Sequence, residues 1–268
     1  MADLPQSLTE AATSVLLTAE PADKARATHR VAAAWRAGQI TEIGVADPPE
    51  RPARPAQPAL RPPQAMPRRK IGPAPEGRIA LLHAIAHIEL NAIDLAWDLI
   101  ARFGPELPRA AHGDWVQVAD EEAKHFTLLS ERLAALGAAY GDLPAHDGLW
   151  QAARATRHDL LARLAVVPLV LEARGLDVTP AMIDKLTAAG DAESAAVLEV
   201  IYAEEIGHVA TGMRSFEAAC RARGLEPRAA WQEQVGVHFR GAVKPPFNAA
   251  ARRQAGFPVE DYAERALS

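Results

Sequence analysis

Two short stretches of the chain pair a glutamate with a histidine three residues later. The pairs are Glu122 with His125, within EEAKH, and Glu205 with His208, within EEIGH. In a helix, positions i and i+3 lie side by side on one face. A single Glu-x-x-His usually lies on a solvated face, so the neighbours of each pair decide what it does.

Both pairs lie on apolar helix faces. The positions one and two turns from Glu122 are Trp115, Val118, Phe126 and Leu129. The corresponding positions around Glu205 are Leu198, Ile201, Val209 and Gly212. Both pairs are therefore predicted to point into the protein core.

Two further glutamates have the same property. Glu89 shares its face with Leu82, Ile85 and Ile93, and Glu172 lies within the apolar stretch AVVPLVLEARGL. Glu89 precedes Glu122 by 33 residues, and Glu172 precedes Glu205 by 33 residues (122 − 89 and 205 − 172). Two antiparallel helix pairs with equal arms would bring all four carboxylates to one level.

Four buried carboxylates at one level are strongly unfavourable unless positive charge compensates them. Two divalent cations supply four positive charges, and neutral histidines complete their coordination. One Glu from each of two helices with Glu-x-x-His from two others is the ligand set of di-iron and di-manganese carboxylate bundles. The predicted metal ligands are Glu89, Glu122, His125, Glu172, Glu205 and His208.

Other polar residues lie close to this site in the sequence. His83 and His87 precede Glu89, and Tyr202 lies one turn before Glu205. Hydrogen bonding around the metal ligands or within the core is the expected role of both histidines, and Tyr202 lies near the metals or in the core.

The apolar periodicity predicts four long helices and no strand. Their predicted ranges are 76–103, 114–136 with Asp114 as cap, 149–174, and a helix capped by Asp191 that ends near Arg223. The predicted parts of the chain are an N-terminal helical extension (1–47), a proline-rich segment (48–75), the bundle (76–224) and a C-terminal extension packing on the bundle (225–268). Ten prolines between Pro48 and Pro75 favour an extended strap over a disordered linker, although both remain open.

The third helix is expected to be irregular. Pro168 should kink it. Gly175 and Thr179-Pro180 predict a break near 174–180, followed by a short helix at about 180–189.

Several motifs together resemble a ferritin-like bacterial family known only as a domain of unknown function. They are HAIAHIELNAIDLAWD, DEEAKHF, YGDLPAHDGLW, VLEARGLD, EEIGHV and KPPFN. The resemblance covers nearly the whole chain. It implies an all-α, ferritin-like four-helix bundle with the six metal ligands named above, and it implies no substrate. A more distant similarity links the motifs to di-iron enzymes that hydroxylate a modified adenosine in tRNA, and to rubrerythrins and bacterioferritins.

Mixed carboxylate and imidazole ligation favours two iron ions, with manganese or a mixed Mn/Fe pair as alternatives. The expected function is an oxygen-activating oxidase or hydroxylase. Its partners would be a small organic or modified-nucleoside substrate, dioxygen or peroxide, and an external electron donor. Two alternatives are iron oxidation and storage or peroxide scavenging, and a metal-stabilised structural or binding protein. The extensions at both ends argue against a 24-subunit cage.

Composition sets further limits. A net charge of −5 gives no general reason to expect nucleic acid, and Cys220, the single cysteine, excludes an internal disulfide. Without a signal peptide or an apolar run of membrane-spanning length, we expect a cytoplasmic protein with no membrane partner. Residues 51–70 and 238–253 are basic and contain no acid. A rim formed by Arg68, Arg69, Lys70, Arg240 and Lys244 would suit an anionic substrate or, more weakly, tRNA; solvated charge is the alternative.

Overall fold

The structure is a computed structural model that describes residues 5–62, 65, 66, 72 and 74–262. In that part of the chain the only β contacts are two isolated bridges, Ser7 with Glu42 and Leu60 with Ala145. The all-helical prediction is therefore confirmed. The helices are α1 (Leu8–Leu16), α2 (Pro21–Arg36), α3 (Pro75–Phe103), α4 (Arg109–Ala135), α5 (Gly148–Ala155), α6 (Leu160–Val166), α7 (Ala173–Ala188), α8 (Ala192–Arg223), α9 (Pro227–His238), α10 (Ala249–Gln254) and α11 (Val259–Tyr262).

The chain divides into two compact units. Unit 1 contains the residues up to Trp150 together with Lys185–Val197. Unit 2 contains Gln151–Asp184 together with the residues from Leu198 onward. Helix α8 therefore begins in unit 1 and continues in unit 2.

Unit 1 is built on the antiparallel pair α3 and α4, with α1 packed on α3 and α2 on α4. Trp97 and Trp115 are almost completely buried in it. Helix α4 begins at Arg109, five residues before the predicted cap. Asp114 is therefore not the cap. Pro108 occupies that position, and the side chain of His112 is buried with its Nε2 2.8 Å from the carbonyl oxygen of Gly104.

The proline-rich segment runs in an extended form across unit 1 over residues 48–62. Its contacts are backbone hydrogen bonds of Ala53 with Leu16 (2.8 Å) and of Ala59 and Arg61 with Ala145 (3.1 and 2.8 Å). We call residues 48–62 the strap.

The third predicted helix is divided in the structure. The chain leaves the helical conformation between α5 and α6, where Arg163, fully buried, donates hydrogen bonds to Thr156 Oγ1 and Ala153 O. Asp159 then caps α6 by accepting from the backbone N–H of Leu161. The expected continuous helix over 149–174 is wrong because these polar contacts stabilise a break.

The irregularity caused by Pro168 takes the form of a π-helical segment, Val167–Glu172. The wider turn makes room for a proline ring that would otherwise crowd the preceding turn. The predicted break near 174–180 is wrong, because α7 continues through Pro180 to Ala188. Pro180 cannot donate to the carbonyl of Leu176, and Asn248 Nδ2 donates to that oxygen instead, at 3.2 Å.

One helical stretch, Pro75–Glu106, is long and apolar enough to cross a membrane by length and composition. The sequence analysis predicted a helix here but found no apolar run of membrane-spanning length. Its most apolar window is 78% buried inside the protein, which is the behaviour of a core helix.

Candidate metal centre

Three of the predicted ligands meet in unit 1. Glu89 lies on α3, and Glu122 and His125 lie on α4, all of them buried. His125 Nδ1 is 3.1 Å from Glu89 Oε2 and 3.5 Å from Glu122 Oε2. One ligand atom from each residue lies within 4.8 Å of the others. We call this cluster the unit 1 triad.

The triad is strongly coupled electrostatically. Burial alone lowers the pKa of His125, but the hydrogen bonds and charges of Glu122 and Glu89 outweigh burial and raise it to about 11. In the absence of metal, His125 is therefore an imidazolium whose Nδ1 faces two carboxylates. That nitrogen is the one placed to bind a metal ion once its proton has left.

Unit 2 carries the second motif in a similar arrangement. His208 is buried, and its Nδ1 is 3.6 Å from Glu205 Oε1. The Glu205 side chain is 13% exposed, and its Oε2 is buried without accepting a hydrogen bond from the described residues. We call Glu205 and His208 the unit 2 pair.

Glu172, also in unit 2, is the last residue of the π-helical segment and is half-buried. A close approach between this segment and α8 determines its position. A Cβ added to Gly212 would lie 2.4 Å from Pro168 Cβ, so only glycine permits this contact. Glu172 follows Pro168 by four residues and His208 precedes Gly212 by four. Since α7 and α8 are joined by a short turn and run antiparallel, we expect Glu172 and His208, each four residues from this contact, at similar levels along the two helices.

His83 and His87 bind the loop between α4 and α5. The backbone N–H of Gly141 donates to His83 Nε2 at 2.9 Å. His87 Nε2 donates to the carbonyl of His146 (3.1 Å), so its Nδ1 accepts from Tyr140 Oη at 2.8 Å. Burial lowers the pKa of His87 to about 4, which keeps its imidazole neutral. Core hydrogen bonding is the role the structure gives these histidines.

Tyr202 is hydrogen-bonded to the KPPFN motif. Asn248 Nδ2 donates to Tyr202 Oη at 2.8 Å, and the Asn248 backbone N–H donates to Asp177 Oδ1 at 2.9 Å. Arg252 completes the arrangement through two hydrogen bonds to Asp177. The sequence analysis missed Asn248 and Asp177, although KPPFN and VLEARGLD, which contain them, were both among the recognised motifs.

The predicted basic rim is partly described. Arg240 and Lys244 are exposed in unit 2, whereas Arg68, Arg69 and Lys70 lie outside the described residues. Other arginines of the two basic segments form ion pairs with acids elsewhere in the protein. Arg54 contacts Asp94 at 3.0 Å, and Arg252 contacts Asp177 at 2.7 Å. Each basic segment contains no acid of its own, but some of its arginines pair with acids from other parts of the chain.

Comparison with known proteins gives a family and no activity. A family described as "Protein of unknown function (DUF455)" matches residues 17–263. An uncharacterised protein of Haemophilus influenzae is 41% identical over 224 residues, which are 81% of this chain and 75% of that protein. No solved structure matches the chain.

Proposed function

The chain belongs to the DUF455 family of proteins of unknown function, and we propose from its own side chains that it is a ferritin-like di-iron carboxylate protein. In this proposal the unit 1 triad, the unit 2 pair and Glu172 together hold two iron ions. The protein then uses dioxygen to oxidise or hydroxylate a small organic or modified-nucleoside substrate.

One observation carries this proposal: in both Glu-x-x-His motifs the histidine is buried, with its Nδ1 at a similar distance from the glutamate. Histidine Nδ1 lies 3.5 Å from its glutamate in unit 1 and 3.6 Å in unit 2. Both histidines are at most 1% exposed. A surface Glu-x-x-His has no reason to repeat this burial and orientation, whereas two equivalent metal ligands do.

The donor set fits divalent iron. Glu89 and Glu122 bring two carboxylates into the core of unit 1, and both lie against Nδ1 of His125. In unit 2, a buried oxygen of Glu205 accepts no hydrogen bond from the described residues. A cation would satisfy both units, and carboxylate with imidazole suits iron or manganese.

When bound, a pair of irons supplies electrons for the reduction of dioxygen. The side chains prepare and protect the site. His125 must first release its Nδ1 proton, and Glu89 Oε2, at 3.1 Å, is the nearest acceptor. Glu122 and His125 are fully buried, so the triad is shielded from bulk water. That shielding strengthens the ligands' electrostatic interactions and limits side reactions of the reduced site.

Metal content provides the first test. Protein loaded anaerobically with Fe²⁺ should retain two ions per chain after desalting. The Glu122→Gln variant should lose at least one, because an amide is a much poorer ligand. Glu121→Gln is the matched control, since Glu121 lies one position off the ligand face and should leave the iron content unchanged. Equal iron content in Glu122→Gln and wild type, or no retained iron in either, would refute the site.

The same comparison in unit 2 tests whether the units share one centre. Glu205→Gln should lower the iron content, and Glu204→Gln should not. Retention of a single ion per chain, unaffected by Glu205→Gln, would reduce the proposal to a mononuclear site in unit 1.

Oxygen consumption tests the reaction class. Reduced, iron-loaded protein should consume a near-stoichiometric amount of dioxygen and require an added reductant to continue. Continued uptake of Fe²⁺ with formation of a ferric core, or a many-subunit cage in size-exclusion chromatography, would indicate storage instead.

A further inference from the structure

A cavity of about 390 Å³ lies in unit 2, between α9 and the loop that follows it. All of its lining residues come after Leu198, so they belong to one unit, and none is a predicted metal ligand. Its walls are formed by one side of α9, by residues of the loop 239–244 and by Tyr262 at the end of α11. Cavities of this size are typical of small-molecule sites.

Aromatic rings form much of the wall. Trp231 and Tyr262 are largely buried and meet edge to face, with their ring centroids 5.7 Å apart. Phe257 packs against both rings, at centroid distances of 5.6 and 4.6 Å. The Phe239 ring lies over Gly241, where an added Cβ would be 2.5 Å from it. Packing therefore holds these rings in place, and they offer flat apolar surfaces to a ligand.

Gly236 keeps part of the cavity open. A glycine within a helix is unfavourable relative to alanine. Gly236 does not have a positive φ, and a Cβ added to it would have nothing within 4 Å, so neither the backbone nor the packing requires a glycine. Because Gly236 lines the cavity, a side chain at this position would take up space that a ligand can use.

The loop after α9 brings two cations to this cavity. Lys244 lines it, and Arg240 lies in the same loop. Both side chains are exposed, and neither forms an ion pair or a hydrogen bond with the part of the chain that the structure describes. Arg174 anchors the loop, because its Nη1 donates to the carbonyls of Lys244 and Pro246 at 2.9 and 2.8 Å. The cavity therefore combines apolar aromatic walls with exposed positive charge.

We propose that this cavity binds an aromatic monocarboxylate, with its rings against the aromatic walls and its carboxylate at Lys244 and Arg240. A dry protein cavity of about 150 Å³ holds benzene, so a cavity of this size suits two fused rings. Apart from the aromatic residues, Gln232 and Lys244 are the lining residues with polar side chains. The sugar hydroxyls of a nucleotide would therefore lose water without gaining enough partners. The site is separate from the proposed iron centre, and its test needs no metal.

Calorimetric titration of the metal-free, full-length protein with sodium 2-naphthoate tests the proposal. Naphthoate should bind saturably at one site per chain. The amide 2-naphthamide, which has the same shape and no charge, should bind about fivefold more weakly. Absence of naphthoate binding, or equal affinity for acid and amide, would overturn the proposal. Tighter binding of adenosine monophosphate than of naphthoate would also overturn it, because the site would then favour a nucleotide.

A double variant, Arg240→Met with Lys244→Met, tests the role of the charge. It should weaken naphthoate binding by about fivefold, since each exposed cation contributes modestly, and leave the affinity for naphthamide unchanged. The amide is the control within the same protein, because a distorted cavity would weaken both ligands equally. Equal weakening of both would contradict the assignment of these cations to the carboxylate.

Gly236→Leu tests the cavity without removing a charge. The leucine side chain should occupy the cavity and abolish naphthoate binding, while the melting temperature is kept or raised because leucine favours the helix. Ala229→Leu is the matched control, since Ala229 is exposed on the same helix and does not line the cavity. Wild-type affinity in Gly236→Leu, or loss of binding in Ala229→Leu as well, would overturn the proposal. A wild-type dimer that Gly236→Leu dissociates in size-exclusion chromatography would assign the cavity to a second copy of the chain instead.

Discussion

Metal binding at the unit 1 triad should release a proton from His125. In the metal-free protein this imidazolium is held between Glu89 and Glu122, whose hydrogen bonds and charges raise its pKa to about 11. A metal ion can bind Nδ1 only after that proton has left. We therefore expect at least one proton to be released per binding event at every pH below about 11, and hence at every pH at which metal binding would be measured.

The pKa gives the size of the effect. At pH 7.5, removal of a proton from a group with a pKa of about 11 costs roughly 5 kcal/mol, because each unit corresponds to about 1.4 kcal/mol. The apparent affinity for the metal should then rise about tenfold per pH unit from His125 alone.

The stability of the metal-free protein follows from the same shift. The folded pKa of His125 lies above the value of 6.5 that the unfolded chain has, so the histidine's stabilising contribution is complete below pH 6.5. It is lost as the pH rises towards about 11. In the metal-loaded protein His125 carries no proton on Nδ1, so this loss of stability does not occur. The difference in unfolding free energy between loaded and metal-free protein should therefore grow with pH.

Titration calorimetry with Mn²⁺ in buffers of different ionisation enthalpy counts the released protons. The wild type should release at least one, and His125→Gln should release one fewer and bind more weakly. His112→Gln is the control, since His112 is a buried histidine of the same helix whose ring nitrogens lie against the backbone carbonyls of Arg109 and Gly104. An affinity that stays constant between pH 6.5 and 8.5, or a proton count unchanged in His125→Gln, would refute the reasoning.

Three further substitutions test a buried ion-pair cluster, a helix cap and a close contact between helices. Asp94→Asn should lower the free energy of unfolding by about 3 kcal/mol in urea denaturation, because Lys24 and Arg54 would both lose the buried carboxylate that they contact; a loss below about 1 kcal/mol would contradict this. Burial raises the pKa of Asp191, but hydrogen bonds from the first turn of α8 and from an arginine outweigh it and lower the pKa below 3.8. Asp191→Asn should therefore cost about 1–2 kcal/mol at pH 7, and this difference from the wild type should shrink as the pH falls below 3.8; a constant difference down to pH 2 would be inconsistent. Gly212→Ala should lower the melting temperature, because the added methyl would meet a proline ring at 2.4 Å, whereas Gly207→Ala, with nothing within 4 Å, should raise it slightly; equal effects of the two would show that the contact is not close.

The burial of the candidate ligands could be predicted from the sequence because the side chains obey helical periodicity. Two Glu-x-x-His motifs with apolar neighbours identified the faces of α4 and α8, and the structure buries His125 and His208 as expected. The bounds of α3 and α8 followed from strong local signals, a glycine-proline stop and the Asp191 cap, whose side chain accepts from the backbone N–H of Ser194.

The irregular elements could not be predicted because distant residues stabilise them. Helix α7 passes through Pro180 only because Asn248, far along the chain, donates to the carbonyl that the proline leaves without a donor. The break before α6 depends on a buried arginine that binds the end of the preceding helix. At Pro180 the local signal identified the backbone conflict and a tertiary contact decided how it was resolved, whereas no local signal was recognised for the break before α6.

The division of the chain into units has a consequence for its synthesis. Unit 1 needs residues 185–197, where Asp191 binds both Arg78 and Arg132 across the helix ends. A nascent chain that has reached Trp150 therefore still lacks part of its first compact unit. At roughly 5–20 residues per second, the missing 47 residues (197 − 150) take roughly 2–10 s to be made. During that interval Arg78 and Arg132 lack their ion pairs with Asp191, and chaperone binding to the emerging chain should be greatest then.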